Sequence, residues 1–288
     1  MPSLKAIRAR IISVKNTQKI TRAMKMIAAA RLRRASEAVH AARPYTRALE
    51  EVIGELAARA GTEAHPLLVQ RPQRRVLLVA MTADRGLAGG FNSSINRATE
   101  RYIYEHKHEH DKISVVSVGR KGRDYLRRRK HDLLKELAGA TGPVADARAE
   151  EITQLVVSEF LDDKFDAVYL IYNEFKSAIS QKVQIKQLLP IKPQALPANA
   201  APVDYIYEPD RQAVLDRVLP MYVKVETLSA LLESVASFFG AQMSAMDNAS
   251  NNAKEMIGRL TLDYNRARQA AITKELLEII GGAEALKG

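Results

Sequence analysis

The sequence predicts an α/β architecture in which the two chain ends form a long antiparallel coiled coil and the middle folds as an α/β domain. Three observations predict it: apolar residues at steps of three and four in the first segment, a stricter version of that pattern in the last, and strand-like runs alternating with helical ones between them. The composition agrees, because 288 residues with 47% apolar and 27% charged side chains, no Trp and few Phe suit long helices rather than disorder. The predicted division is 1–60 for the first coiled-coil helix, 74–193 for the α/β domain, 194–209 for a linker and 210–288 for the second coiled-coil helix.

The first helix is expected from Ser3, a plausible N-cap, to about Ala58, with Gly61 and Pro66 as its stop. Its apolar series runs Leu4, Ile7, Ile11, Val14, Thr17, Thr21, Met24, Ala28, Leu32, Ala35, Val39, Ala42, Tyr45, Leu49, Val52, Leu56, one stripe along a helix of about 80 Å at ~1.5 Å per residue. Pro44 is expected to kink this helix or end it early. In the last segment Val214, Val218, Met221, Val225, Leu228, Leu232, Val235 and Phe239 alternate steps of four and three, which is a coiled-coil seam. Past Phe239 the stripe slips one place, to Met243, Met246, Ala249, Ala253, Met256, Leu260, Tyr264, Ala267 and Ala271, as a stutter does. Pro220 is expected to bend or break the helix near its start. Asn248, Asn251 and Asn252 could fix register if they faced the seam, although surface placement suits at least two of them better. Two striped helices at opposite ends of one chain bury their seams most simply by running antiparallel, as a hairpin-shaped rod.

Between them, Arg75–Met81 reads as a buried strand, 91–107 as a helix, 113–118 as a strand, 119–128 as a short helix, 147–162 as a helix, 167–172 as a strand and 183–189 as an alternating strand that suits a sheet edge. That alternation predicts a Rossmann-like α/β layer domain. The prolines of 194–202 mark the linker.

The net charge of +11 is concentrated at one end: residues 1–47 hold twelve basic side chains against one acid, Glu37, and so carry the whole imbalance. A basic helix admits nucleic acid or an acidic surface as partner, but no aromatic residues interleave the charges to stack on bases. The absence of Cys excludes disulfides, thiolate zinc sites and a cysteine nucleophile. No window approaches the ~18 consecutive apolar residues of a membrane span, and the first residues lack a secretory signal, so a soluble, untargeted chain is expected.

Three motifs invite chemistry. The loop Asp84-Arg85-Gly86-Leu87-Ala88-Gly89-Gly90-Phe91-Asn92 lies between a strand and a helix, where phosphate loops lie, yet it has neither the Gly-Lys-Ser/Thr of a P-loop nor the Gly-x-Gly-x-x-Gly spacing; a tight turn is the better reading. His106, His108 and His110 would meet as metal ligands on a strand but diverge on a helix, and the helical context favours a solvated face. Arg127-Arg128-Arg129-Lys130 is a basic run of the kind that ends solvated helices. No Ser/His/Asp set or carboxylate pair has catalytic spacing. Two rival functions follow from these features, a nucleic-acid-binding coiled coil and a nucleotide-binding Rossmann-like enzyme.

Motifs at both ends resemble the gamma subunit of F-type ATP synthases. They are Arg8-x-Arg10-Ile11 with Asn16-Thr17-Gln18-Lys19-Ile20-Thr21-Arg22-Ala23-Met24-Lys25-Met26-Ile27-Ala28-Ala29, and the C-terminal run from Tyr264-Asn265-Arg266-Ala267-Arg268-Gln269 to Glu278-Ile279-Ile280 with Gly282-Ala283. The glycine loop is similar to the family's except that Ala88 stands where many members have Cys. The resemblance spans nearly the whole chain. It implies a noncatalytic central-stalk rotor subunit with no cofactor or metal, peripheral to the cytoplasmic face of a bacterial inner membrane. Its implied partners are the alpha and beta subunits of the catalytic hexamer, the epsilon subunit and the membrane c-ring, with neither nucleic acid nor direct membrane insertion. It further implies that Lys19, Arg22, Met24, Lys25, Arg268, Gln269, Thr273 and Glu275 contact the catalytic subunits, and that Tyr205, Tyr207 and Glu208 face epsilon and the c-ring. The regulatory cysteine insertion of chloroplast members is missing.

Overall fold

Two helices carry both ends of the chain, α1 (Leu4–Ala60) and α5 (Arg211–Ala285). A computed structural model describes residues 3–61, 63–139, 145–192 and 210–285; the predicted linker 194–209 lies outside them. Both helices run through their prolines, Pro44 and Pro220, without a break. Each proline forfeits one backbone hydrogen bond, a local cost that apolar packing along the rest of so long a helix outweighs. The chain divides into two compact units: a terminal unit, of α1 up to Ile27 with α5 from Met243 onward, and a sheet unit from Ala28 to Gln242.

In the terminal unit the helices run antiparallel. Lys25 Nζ meets Asp247 Oδ1 at 2.6 Å, while near the other end Ile7 and Arg10 line one groove with Leu260, Asp263, Ala267 and Ala270. Ile7, Thr21, Met246 and Ala253 are the buried residues of this seam. Asn248, Asn251 and Asn252 are all exposed, so none of them fixes register.

The sheet unit holds five strands in the order β3-β2-β1-β4-β5, where β1 is Arg75–Met81, β2 Lys112–Val118, β3 Leu133–Leu137, β4 Ala167–Phe175 and β5 Gln181–Leu189. The first four are parallel and joined by crossover helices, α2 (Phe91–His106), α3 (Arg120–Arg128) and α4 (Ala145–Leu161), while β5 returns antiparallel along β4 and forms an edge. Strands β1 and β4 are nearly continuous apolar runs because helices cover both faces. The predicted elements all appear, and β3 is an addition. LLKEL lies at the opposite edge with only Leu137 buried, too polar to stand out as a strand.

One core unites α1, the sheet, α4 and α5: Ile53, Leu56 and Ala57 meet Leu77, Val79, Val168, Leu170, Ile152, Phe160, Leu219 and Val223. Its helix faces differ from the predicted stripes. Tyr45, Val52 and Met221 are exposed, while Thr46, Ile53, Leu215, Leu219 and Val223, one or two places along, are buried. In the sheet unit the two helices pack on a sheet as well as near each other, and that broader burial turns the deepest face away from the coiled-coil seam.

Candidate functional site

The glycine loop is a pinned turn. Asn92 Oδ1 accepts from the Ala83 N–H at 2.9 Å and its Nδ2 donates to the Arg85 carbonyl at 3.2 Å, which closes the loop on its own helix. Beneath it Thr82 Oγ1 donates to the Val118 carbonyl at 2.9 Å and accepts from the Gly122 N–H at 2.8 Å. In an open α/β sheet a ligand sits outside the carboxyl ends of the strands where the strand order reverses, which here is between β1 and β4. α5 fills that place. Ser234 Oγ donates to the Met81 carbonyl at 3.2 Å and Ser237 Oγ to the Asn173 carbonyl at 3.0 Å, and Phe238 meets Phe91 edge-on at 5.5 Å between ring centroids. The crevice a nucleotide would need is occupied by the chain itself.

The histidines do not diverge fully. His106, the last residue of α2, and His110, just past the turn that follows, lie parallel with centroids 5.7 Å apart, and His106 stacks on Tyr102 at 4.2 Å; His108 is exposed. The turn accounts for the pair, because the His110 N–H donates to the His106 carbonyl at 3.1 Å, and among the described residues no group of three potential ligands forms. Two members of the basic run at the end of α3 are engaged: Arg127 pairs with Glu136 at 2.6 Å, and Arg129 pairs with Glu100 at 2.7 Å while lying 4.2 Å over the Tyr125 ring. The hydrogen bond from Tyr125 and then the charge of Arg129 overcome burial to hold the Glu100 carboxyl below its usual range.

The residues expected to contact the catalytic subunits fall in the terminal unit. Lys19, Arg22, Arg268, Gln269, Thr273 and Glu275 are exposed, Met24 is half-buried, and Lys25 is half-buried against Asp247. Among the described residues no ion pair reaches Lys19 or Arg22. Exposed Ile12, Ile20, Met26 and Ile27 share α1 with them, and Ile272, Leu276, Leu277, Ile279 and Ile280 are exposed on α5. A helix pair with this much uncovered apolar surface beside unpaired cations has the character of an interface rather than of a solvated surface. Tyr205, Tyr207 and Glu208 lie outside the described residues. No helix among the described residues is long and apolar enough to cross a membrane.

Sequence reasoning missed a polar centre in the sheet unit. There Arg43 of α1 pairs with Glu233 of α5 at 2.8 Å, and Lys186 of β5 bridges Glu50 of α1 at 3.1 Å and Glu226 of α5 at 2.8 Å. Burial alone would lower the Lys186 pKa, but the attraction of Glu226, their hydrogen bond and Glu50 more than reverse this and hold it charged. The available signal was the spacing: Arg43 to Glu50 and Glu226 to Glu233 are each seven apart, two turns along one helix face.

Comparison with known proteins gives these features a context. A family model described as ATP synthase matches residues 3–286. The ATP synthase gamma chain of Anaeromyxobacter sp. (strain Fw109-5) is 51% identical over the full length of both chains, and that of Geobacter sp. (strain M21) is 50% identical, again over both full lengths. The chain belongs to the gamma family of ATP synthases. As a member it is the central-stalk subunit of that enzyme and serves ATP synthesis. Among solved structures it is similar to the central stalk and c-ring structure of the Tetrahymena thermophila mitochondrial ATP synthase, at 27% identity and a TM-score of 0.61, over 80% of this chain and 99% of that one. A chain of the Euglena gracilis mitochondrial ATP synthase shares the fold at 21% identity with a TM-score of 0.68, over 98% of this chain and 94% of that one.

Proposed function

We propose that this gamma-family chain is a noncatalytic rotor whose terminal unit turns inside the catalytic hexamer of alpha and beta subunits and whose sheet unit meets the epsilon subunit and the c-ring. The observation that carries the reading is the antiparallel pairing of the two chain ends, at Lys25 with Asp247 and along the groove shared by Ile7 and Leu260, with cations and apolar residues left outward. A seam of that kind holds itself together and keeps its outer faces for other chains. Lys19, Arg22, Met24, Lys25, Arg268, Gln269, Thr273 and Glu275 are the proposed contacts with the catalytic subunits, and Tyr205, Tyr207 and Glu208 those with epsilon and the c-ring. The functional divisions are 1–60, 74–193, 194–209 and 210–288. The complex is peripheral at the cytoplasmic face of a bacterial inner membrane on this reading.

A partner shifts a conformational equilibrium only by binding one state better than another. An asymmetric helix pair offers a different side to each of three chemically alike sites, so turning it reassigns their nucleotide affinities in sequence. Exposed cations attract acidic surfaces over roughly one Debye length, ~8 Å at physiological salt, which suits a contact that must form and release at each step. The ATP chemistry then belongs to other chains, consistent with a sheet crevice closed by α5.

The test is reconstitution of the hexamer with and without this chain, followed by Arg268→Ala and Gln269→Ala. Native chain should copurify with the hexamer and raise rotation-dependent ATP hydrolysis. The two variants should fold alike, judged by helical circular dichroism, and lower turnover or the ions moved per ATP. Equal turnover with the chain omitted would refute the rotor reading, and loss of folding in the variants would make those residues structural.

A further inference from the structure

The sheet unit is fastened to its helices by two ionic joints, each drawing on α1, α5 and the β4–β5 hairpin. In the first, Arg43 gives Nη2 to the Phe175 carbonyl at 2.7 Å and pairs with Glu233, whose Oε2 accepts from the Phe175 N–H at 2.7 Å. The backbone at the end of β4 is thus gripped on both its donor and its acceptor. In the second, Lys186 of β5 ties Glu50 of α1 to Glu226 of α5. Glu226 and Glu233 are buried, with side chains 4% and 9% exposed, so solvent screens their contacts less than that of the half-exposed Glu50. The joints lie two turns apart, about 10 Å along the helices, and their members line a single cavity together with Tyr172.

We propose that Arg43–Glu233–Phe175 and Glu50–Lys186–Glu226 form a two-point ionic clamp that carries torque from the sheet into the helix pair, with Lys186 and Arg43 as positioning residues for the rotary reaction. One fastening point allows the sheet to pivot about it. Two points separated along the helix resist pivoting and sliding together. Apolar packing fills the rest of this interface, but it is non-directional and yields to small shear, whereas a gripped peptide and a bridging lysine each have one geometry. Directional contacts placed where the sheet meets both helices suit load-bearing better than stability alone, since a buried ion pair contributes little that apolar residues could not supply.

This inference rests on the rotor reading, and the assembled complex separates the two. The hexamer is fixed, a probe is attached to the sheet unit, and the angular spread of the probe is recorded while catalysis is stalled. The double variant Lys186→Met/Glu226→Gln, which removes both the lysine and the buried carboxylate charge and leaves only the half-exposed Glu50 without its partner, should broaden the spread, and Lys186→Arg should restore the native width. Lys182→Met, an exposed change on the same strand, should leave the width unchanged. If the double variant fails to assemble, Glu50→Gln, at a partly exposed carboxylate, takes its place and should broaden the spread to a smaller degree. An active complex of native width, or one whose only change is a lower melting temperature of the isolated chain, overturns the clamp. A native complex in which the probe never turns during ATP hydrolysis overturns the rotor reading instead.

Discussion

Gly119 shows how narrowly one position can be set. It follows β2 with φ +92°, and a Cβ built there would lie 2.3 Å from the Thr82 carbonyl oxygen, so the close approach of two loop backbones requires the missing side chain. Gly119→Ala combines a disfavoured φ with a backbone clash and should cost at least ~2 kcal/mol, read as a lower urea midpoint with an unchanged slope. His65 sets a pH limit by a different route. Its buried ring accepts the Leu67 N–H on Nδ1 at 3.1 Å, which places the proton of the neutral ring on Nε2, 3.3 Å from Asp216. Burial lowers its pKa from the ordinary 6.5, with Asp216 opposing only in part. The unfolded chain therefore takes up a proton first as pH falls. Stability at this site is complete above about pH 6.5 and declines as pH drops from there toward the folded pKa, where the slope ends. Denaturant midpoints measured across that window should fall in the native chain and change less in His65→Gln.

At the scale of elements the helices tolerate what the local rules forbid. Pro44 stands exposed inside α1 and removes a backbone hydrogen bond that the turn would otherwise make. Pro44→Ala should stabilise the chain by about 1–3 kcal/mol, seen as a higher thermal midpoint; no rise would mean that the proline's fixed φ compensates for the lost bond. The apolar stripe of α1 was legible because a period of 3.6 is a local property, and Ile7, Thr21, Ala28, Leu32, Val39 and Leu56 are indeed its buried members. Past Ala42 the local pattern is only a partial guide, since Leu49 and Leu56 still face the core. Thr46 and Ile53 turn inward while Tyr45 and Val52 face outward, because there α1 lies on a sheet whose position depends on strands more than twenty residues away.

For the whole molecule, charge distribution is the property that reaches other chains. Nearly all of the acidic residues lie after residue 47, and residues 1–27, the part of α1 in the terminal unit, hold seven of the twelve basic side chains of 1–47 and no acid. Steered association of this kind weakens as salt shortens the Debye length from ~10 Å at 0.1 M to ~3 Å at 1 M. The rate at which the chain joins a preformed hexamer should therefore fall with ionic strength, and Lys19→Ala/Arg22→Ala should flatten that dependence in stopped-flow measurements. A rate indifferent to salt would remove the electrostatic part of the proposed interface.

The sequence by itself determined the elements other than β3, their order and the family. Periodicity, strand-like runs and the signatures of Asn16–Ala29 and Tyr264–Ile280 are all short-range features written in consecutive residues. Tertiary structure alone decided which face of α5 is deepest, that α5 closes the crevice between β1 and β4, and that Arg43 meets Glu233 and Lys186 meets Glu226. Those outcomes depend on how layers stack, and the partners stand up to 190 positions apart in the chain. A heptad step places two charges on one side of a helix, but only the packing of the sheet against both helices brings the opposite charge to them.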